Sequence, residues 1–269
     1  MTIEDAFRKN GAAFMPYICC GDPSAGFTVR AVRALAASGA DAIEFGIPFS
    51  DPIADGKSIQ AASARALLSG MTPLKALEVL GDIRKETEIP IIVMTYCNII
   101  IANGGEAFLK KARVAGADAL IVPDVPLEES HALAEQCRAA GLKLVRMASP
   151  SCSDARLKRI SENAEGFVYA VGALGTTGAR DSVGKDAAAL VRRMKGITDL
   201  PVAVGFGISK PIHATVLREA GADGIIVGSR IADIYSRHIG KDGKMGEESA
   251  LEELAGYAKA MKAACVTRI

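Results

Sequence analysis

A phrase recurs along this chain: an alanine-rich amphipathic segment, a glycine, then almost at once an apolar run. It reads ALAASGADAIEFG at 34–46, KARVAGADALIVPD at 111–124 and REAGADGIIVGS at 218–229, with a looser copy, EQCRAAGLKLVRM, at 135–147. Glycine just past a helix end adopts the left-handed conformation at little cost, so each helix stops at Gly39, Gly116, Gly221 or Gly141. Short helix-to-strand loops repeated in this way build a parallel sheet with helices packed outside it.

Filling the intervals between these copies predicts eight strands, near 13–19, 41–46, 90–95, 118–122, 142–148, 166–171, 201–205 and 223–227. Runs such as PIIVMTY and LPVAVGF are continuously apolar, as strands covered on both faces must be. Amphipathic helices are expected near 26–38, 73–86, 105–115, 128–140, 153–162, 184–196, 209–219 and 248–264, with an extra helix at 57–69 after the second strand and another at 2–10. Eight such units in 269 residues, with no Pro- or Ser-rich linker, predict one (β/α)8 TIM barrel spanning 1–269. In that fold the candidates for chemistry lie just after each strand.

The densest such stretch is IEFGIPFSDPIADG at 43–56. Strand alternation puts Ala42 and Glu44 on one side and Ile43 and Phe45 on the other. If the Glu44 side faces the barrel, a carboxylate lies in apolar surroundings and its pKa rises towards neutrality, as a group that both gives and takes protons requires. The alternative is an outward Glu44 paired with a helix lysine, which the apolar covering of outer strand faces disfavours. Asp51 and Asp55 follow, and both are also ordinary turn residues, before Pro52 and Gly56.

Small-residue turns follow the last three strands: ALGTTGAR at 173–180, GFGIS at 205–209 and GSRIAD at 228–233. Glycine turns let backbone N–H groups approach an anion, and a helix starting there adds its positive end. The turns after strands seven and eight are the customary phosphate site of this barrel, with Ser209 and Ser229 available as caps or hydroxyl donors. Tyr96 in YCN (96–98) and Tyr169 late in strand six either wall a flat ring at the mouth or fill the core.

Other chemistries find little support. Lys and Arg number 32 against 31 Asp and Glu, so no basic surplus favours nucleic acid. The three histidines map to helices, which argues against a metal cluster at the mouth. No lysine ends a strand, since Lys143 opens strand five, which argues against a Schiff-base aldolase. The six cysteines match no zinc spacing and read as reduced thiols. MTIEDAFRKN carries no apolar signal core, and no run of eighteen apolar residues occurs, so a soluble, cytoplasmic protein free of the membrane is expected. Arg146, in strand five, has no evident role.

Taken together, FMPYICCGDPS (14–24), IEFGIPFSDPIADGKSIQ (43–60), MTYCN (94–98), PDVPLEE (123–129), YAVGALGTTGAR (169–180), GFGIS (205–209) and VGS (227–229) resemble the tryptophan synthase alpha subunit. The resemblance runs from about Phe7 to about Arg230. It implies a lyase that splits indole-3-glycerol phosphate into indole and glyceraldehyde 3-phosphate. Glu44 then matches the proton-transferring glutamate, Asp55 the aspartate at the indole N–H, and Tyr169 a tyrosine near the reacting centre. Thr177 matches the loop threonine that positions the aspartate, and Gly178, Gly207, Gly228 and Ser229 the phosphate-binding positions. Phe14 to Tyr17, Met94, Tyr96 and Leu120 would surround the indole pocket. Ser50, Asp51 and Pro52 resemble the contact surface for a pyridoxal-phosphate beta subunit in an alpha2beta2 heterotetramer. This chain itself would hold no cofactor or metal. Gly172 and Ala173 replace a serine and a larger neighbour common in the family, and Lys57 a proline.

Overall fold

The computed structural model describes residues 1–8, 11–172, 185–240 and 243–266. Strands β1 (Ala13–Cys19), β2 (Ile43–Gly46), β3 (Ile91–Met94), β4 (Ala119–Ile121), β5 (Lys143–Ala148), β6 (Val168–Val171), β7 (Val202–Gly205) and β8 (Gly224–Val227) pair in parallel and in chain order. Pairing of β8 with β1 closes the barrel. Helix α1 (Ile3–Phe7) precedes β1. One helix follows each strand in turn: α2 (Ala25–Ala37), α4 (Pro73–Glu86), α6 (Glu106–Ala115), α7 (His131–Ala139), α8 (Asp154–Glu162), α9 (Lys185–Lys195), α10 (Pro211–Glu219) and α12 (Glu247–Val266). Three more lie within connections: α3 (Lys57–Leu68) after β2, α5 (Cys97–Ala102) after β3 and α11 (Ser229–Ser236) after β8. The predicted TIM barrel is thus the observed one, with α5 and α11 as additions.

The recurring phrase has a structural meaning beyond its glycine. Gly116 ends α6 in the left-handed conformation at φ 109°, as expected. The aspartate two residues on does the same job in three copies. Asp41 accepts the Phe14 N–H (2.8 Å) and the Lys262 ammonium (2.6 Å). Asp118 accepts the Ile91 N–H (2.9 Å) and the Arg84 guanidinium (2.9 Å). Asp223 accepts the Val202 N–H (2.8 Å) and the Lys195 ammonium (2.9 Å). Each carboxylate satisfies an N–H at the first or second residue of an adjacent strand and ties a covering helix to the barrel's lower rim.

Helix α1 closes that lower end. Thr2 and Asp5 form a reciprocal capping box, Ile3 is buried, and Phe7 meets Phe167 at 5.3 Å between ring centres. Lys143, at the foot of β5, pairs with Glu4 of α1, at the end of the barrel opposite the strand termini. All six cysteines are free thiols. Among the described residues no helix is long and apolar enough to cross a membrane.

Candidate active site

Register decides which side chains enter the barrel. Tyr17 pairs with Glu44, Cys19 with Gly46, Met147 with Tyr169 and Val171 with Gly205. A side chain at Gly46 would collide with the Tyr17 hydroxyl, and one at Gly205 with the Tyr169 hydroxyl. Both tyrosines therefore lie along the lumen, over space that only glycine leaves empty. Glu44, in register with Tyr17, shares the lumen with them, its charge bearing on both phenols, and is 4% exposed. Alternation that carries Glu44 inward carries Met15 and Met94 inward as well. Phe14, Pro16 and Leu120, one residue out of phase, face the helices, which corrects their expected place around an indole pocket.

Burial is what distinguishes Glu44 chemically. It pushes the carboxyl up to about 8, with the nearby Asp55 charge adding to the rise. Asp55, at 6% exposure, is raised to about 6 by burial, and the Tyr96 hydroxyl directed at it draws it back down. At neutral pH the pair therefore holds one acid and one carboxylate, the pattern that assigns separate acid and base roles. Burial also raises the Tyr17 and Tyr169 phenols, with smaller contributions from both carboxylates, so both keep their protons.

The loop after β2 is built to hold Asp55 in place. Its N–H donates to Pro52 C=O (3.0 Å), and the Gln60 side-chain amide of α3 donates to the Asp55 C=O (2.8 Å). The Ala54 N–H donates to the Tyr96 hydroxyl (3.2 Å), and Phe49 stacks on Tyr96 at 4.9 Å and 26°. Arg65 of α3 donates two hydrogen bonds to the buried Asp22 carboxylate, at 2.8 and 2.7 Å. Ser50 and Asp51 are exposed at the loop's tip, joined by a 2.5 Å hydrogen bond, with Pro52 half-buried and Ile53 75% exposed beside them.

Gly207 sits at φ +77° in the turn after β7, and nothing lies within 4 Å of the position a side chain would take. Gly228 is the N-cap of α11, whose first residue is Ser229. The N-terminus of α11 thus faces the mouth beside the Gly207 turn. The capping expectation is corrected: Lys210 precedes α10 and Gly228 precedes α11, neither with a side-chain cap, while the Ser209 N–H bonds His213 Nδ1 at 3.3 Å. His238 likewise lies in the turn after α11 rather than in a helix, against Glu253 at 2.8 Å. Thr177 and Gly178, like Ala173, lie outside the described residues. Gly172 is accounted for by its neighbours, because a side chain there would meet the Gly205 and Phe206 carbonyls at 2.8 and 2.7 Å.

Three residues of the site escape sequence reasoning. Phe49 carries no periodic signal in its loop. Phe206 adopts a left-handed φ of 74° and meets Tyr169 edge-on at 6.1 Å, a strained conformation that only its glycine neighbours hint at. Asp124, in the loop after β4, accepts the Cys97 N–H through both oxygens (3.0 and 3.1 Å) and so anchors α5 from another connection.

Comparison with known proteins adds an independent line. The family model for "Tryptophan synthase alpha chain" matches residues 3–266. The tryptophan synthase alpha chain of Methanoregula boonei is 41% identical over 97% of this chain and 97% of its own length. That of Arabidopsis thaliana is 40% identical over 95% of this chain and 90% of its own. A solved chain from the Pyrococcus furiosus tryptophan synthase a2b2 complex superposes with a TM-score of 0.86 at 39% identity, covering 94% of this chain and 98% of that one. With a barrel, a buried acid beside a carboxylate and a match over nearly its whole length, this chain belongs to the tryptophan synthase alpha chain family.

Proposed function

We propose that the chain cleaves indole-3-glycerol phosphate to indole and glyceraldehyde 3-phosphate, with Glu44 as proton shuttle and Asp55 as its electrostatic partner. The observation that carries this is the split pair: Glu44 raised to about 8 and Asp55 to about 6 in one lumen. Protonated Glu44 delivers its proton to indole C3, leaving the ring as an indolenine cation that the Asp55 carboxylate stabilises at N1–H. The bond from C3 to the glycerol chain then breaks, and its electron pair returns to the ring. The glycerol hydroxyl gives its proton to the Glu44 carboxylate as its oxygen forms the aldehyde, so the acid is regenerated.

The remaining residues orient the substrate. Tyr169 and Tyr96 flank the reacting ring, with Tyr96 also holding Asp55. Gly207, Gly228, Ser229 and the start of α11 receive the phosphate, with Gly178 completing the site and Thr177 positioning Asp55 by resemblance. That remote grip supplies binding energy to align the scissile bond. The exposed tip at Ser50, Asp51, Pro52 and Ile53 meets the beta subunit in an alpha2beta2 assembly. Pyridoxal phosphate belongs to that partner, and this chain, working in the cytoplasm, uses its side chains alone. The test is indole release from indole-3-glycerol phosphate by the chain alone and with a cognate beta subunit. Turnover that rises with the partner is expected, and absence of indole in both conditions would reject the reading.

A further inference from the structure

Arg146 takes no part in the site described above. It pairs with Val168, one residue out of phase with the lumen-facing Met147–Tyr169 pair, so its side chain leaves the barrel outward. There it is 8% exposed. Its Nε donates to Asn163 C=O at 3.1 Å, and among the described residues no carboxylate lies within ion-pair distance of it. Glu165, the nearest acid to influence it, is engaged by Arg138 at 2.9 Å. Burial pulls the proton affinity of Arg146 down, with Cys137 and Glu165 acting against that fall.

This guanidinium borders a crevice of about 220 Å³ lined by β5, the loop after β4, helix α8, Leu133 of α7 and Val171 of β6. Leu133, Leu144 and Ile160 form apolar walls, and Ser149 and Arg156 stand among the other lining residues. Arg156 is already neutralised, with both terminal nitrogens on Glu128 at 2.8 and 3.0 Å. One positive charge bordering the crevice is therefore left without a carboxylate partner among the described residues, beside apolar walls.

We propose that this crevice, whose lining includes neither Glu44 nor Asp55, is a binding site for a small organic monoanion: a carboxylate on Arg146 with its apolar body against Leu133, Leu144 and Ile160. A single free cation matches one negative charge and not a phosphate dianion. The volume, below the roughly 300–1,000 Å³ of drug-sized sites, limits the body to about the size of one ring or a branched chain.

The test is a titration of the full-length, methyl-labelled protein with benzoate, isovalerate and inorganic phosphate, followed by NMR. Benzoate and isovalerate are expected to shift the Leu133, Leu144 and Ile160 methyls saturably, while phosphate leaves them in place. Arg146→Leu should weaken that response at least tenfold and Arg146→Lys should retain part of it. Leu133→Trp, which fills the crevice and leaves Arg146 intact, should abolish it in a protein whose indole-forming activity is unchanged. No saturable shift, an equal response in Arg146→Leu, or equal shifts from phosphate would overturn the proposal.

Discussion

The Tyr169 hydroxyl occupies the space that a side chain at Gly205 would need, so the last residue of β7 sets where the β6 tyrosine can stand. Gly205 is thus a positioning residue for the lumen. Gly205→Ala is expected to push Tyr169 towards Glu44 and to lower kcat by roughly ten- to a hundredfold, in line with the cost of a ~1 Å displacement at a reacting centre. Steady-state kinetics of this variant beside Tyr169→Phe checks it. If the hydroxyl's position matters, the alanine variant is impaired more than the phenylalanine one.

The two carboxylates predict a pH profile. In the free enzyme, kcat/KM should climb as Asp55 ionises near 6 and fall as Glu44 loses its proton near 8. Both limbs belong to the interacting pair. Because the Tyr96 hydroxyl lowers the Asp55 pKa, Tyr96→Phe should move the acid limb to higher pH and leave the alkaline limb nearly fixed. A pH series on both proteins measures this.

The same shifts link to stability. A buried acid with a raised pKa binds its proton more tightly folded than unfolded, so unfolding free energy falls as pH rises between the two values. For Glu44 that window runs from 4.5 to about 8. Denaturant midpoints across it should decline with pH in the native chain and decline less in Glu44→Gln.

Asp22 and Arg65 test how the catalytic loop is held. Asp22 is fully buried and its carboxylate takes both Arg65 hydrogen bonds. Arg65→Leu leaves that charge unpaired and should cost about 3–5 kcal/mol in denaturant unfolding. Asp22→Asn combined with Arg65→Leu should recover part of the loss, since the uncompensated charge is gone.

Ser229 opens α11 without capping it, which leaves its hydroxyl for a ligand. Ser229→Ala should raise KM for a phosphorylated substrate while kcat changes little. The loss of one hydrogen bond to a charged group is worth about 1.5–3 kcal/mol. Titration calorimetry with a glycerol phosphate analogue separates this from a folding defect.

The barrel was legible because its signals are local. A glycine that stops a helix and an apolar run that follows it are a few residues apart, and register then follows from alternation. Glu44 could be singled out for the same reason. What stayed hidden depends on contacts distant in sequence. Helix α5 is an apolar CNIIIA segment with no polar face, and it is anchored by Asp124 from the next loop. The Tyr17–Gly46 and Tyr169–Gly205 pairings join different strands. Phe206 reaches Tyr169 only through a backbone conformation that bulky residues rarely take. Serines at 209 and 229 read as caps by composition, yet neighbouring residues hold those positions instead.

The central claim is that buried Glu44 carries the proton in C–C cleavage. Glu44→Gln keeps shape and burial but removes the titrating group. Single-turnover indole release by this variant, with substrate affinity measured in parallel, tests it most directly. The account predicts a loss of at least about 10³-fold in the chemical step, within the range for general acid–base catalysis, and affinity within a few fold of native. Indole release at the native rate would contradict it.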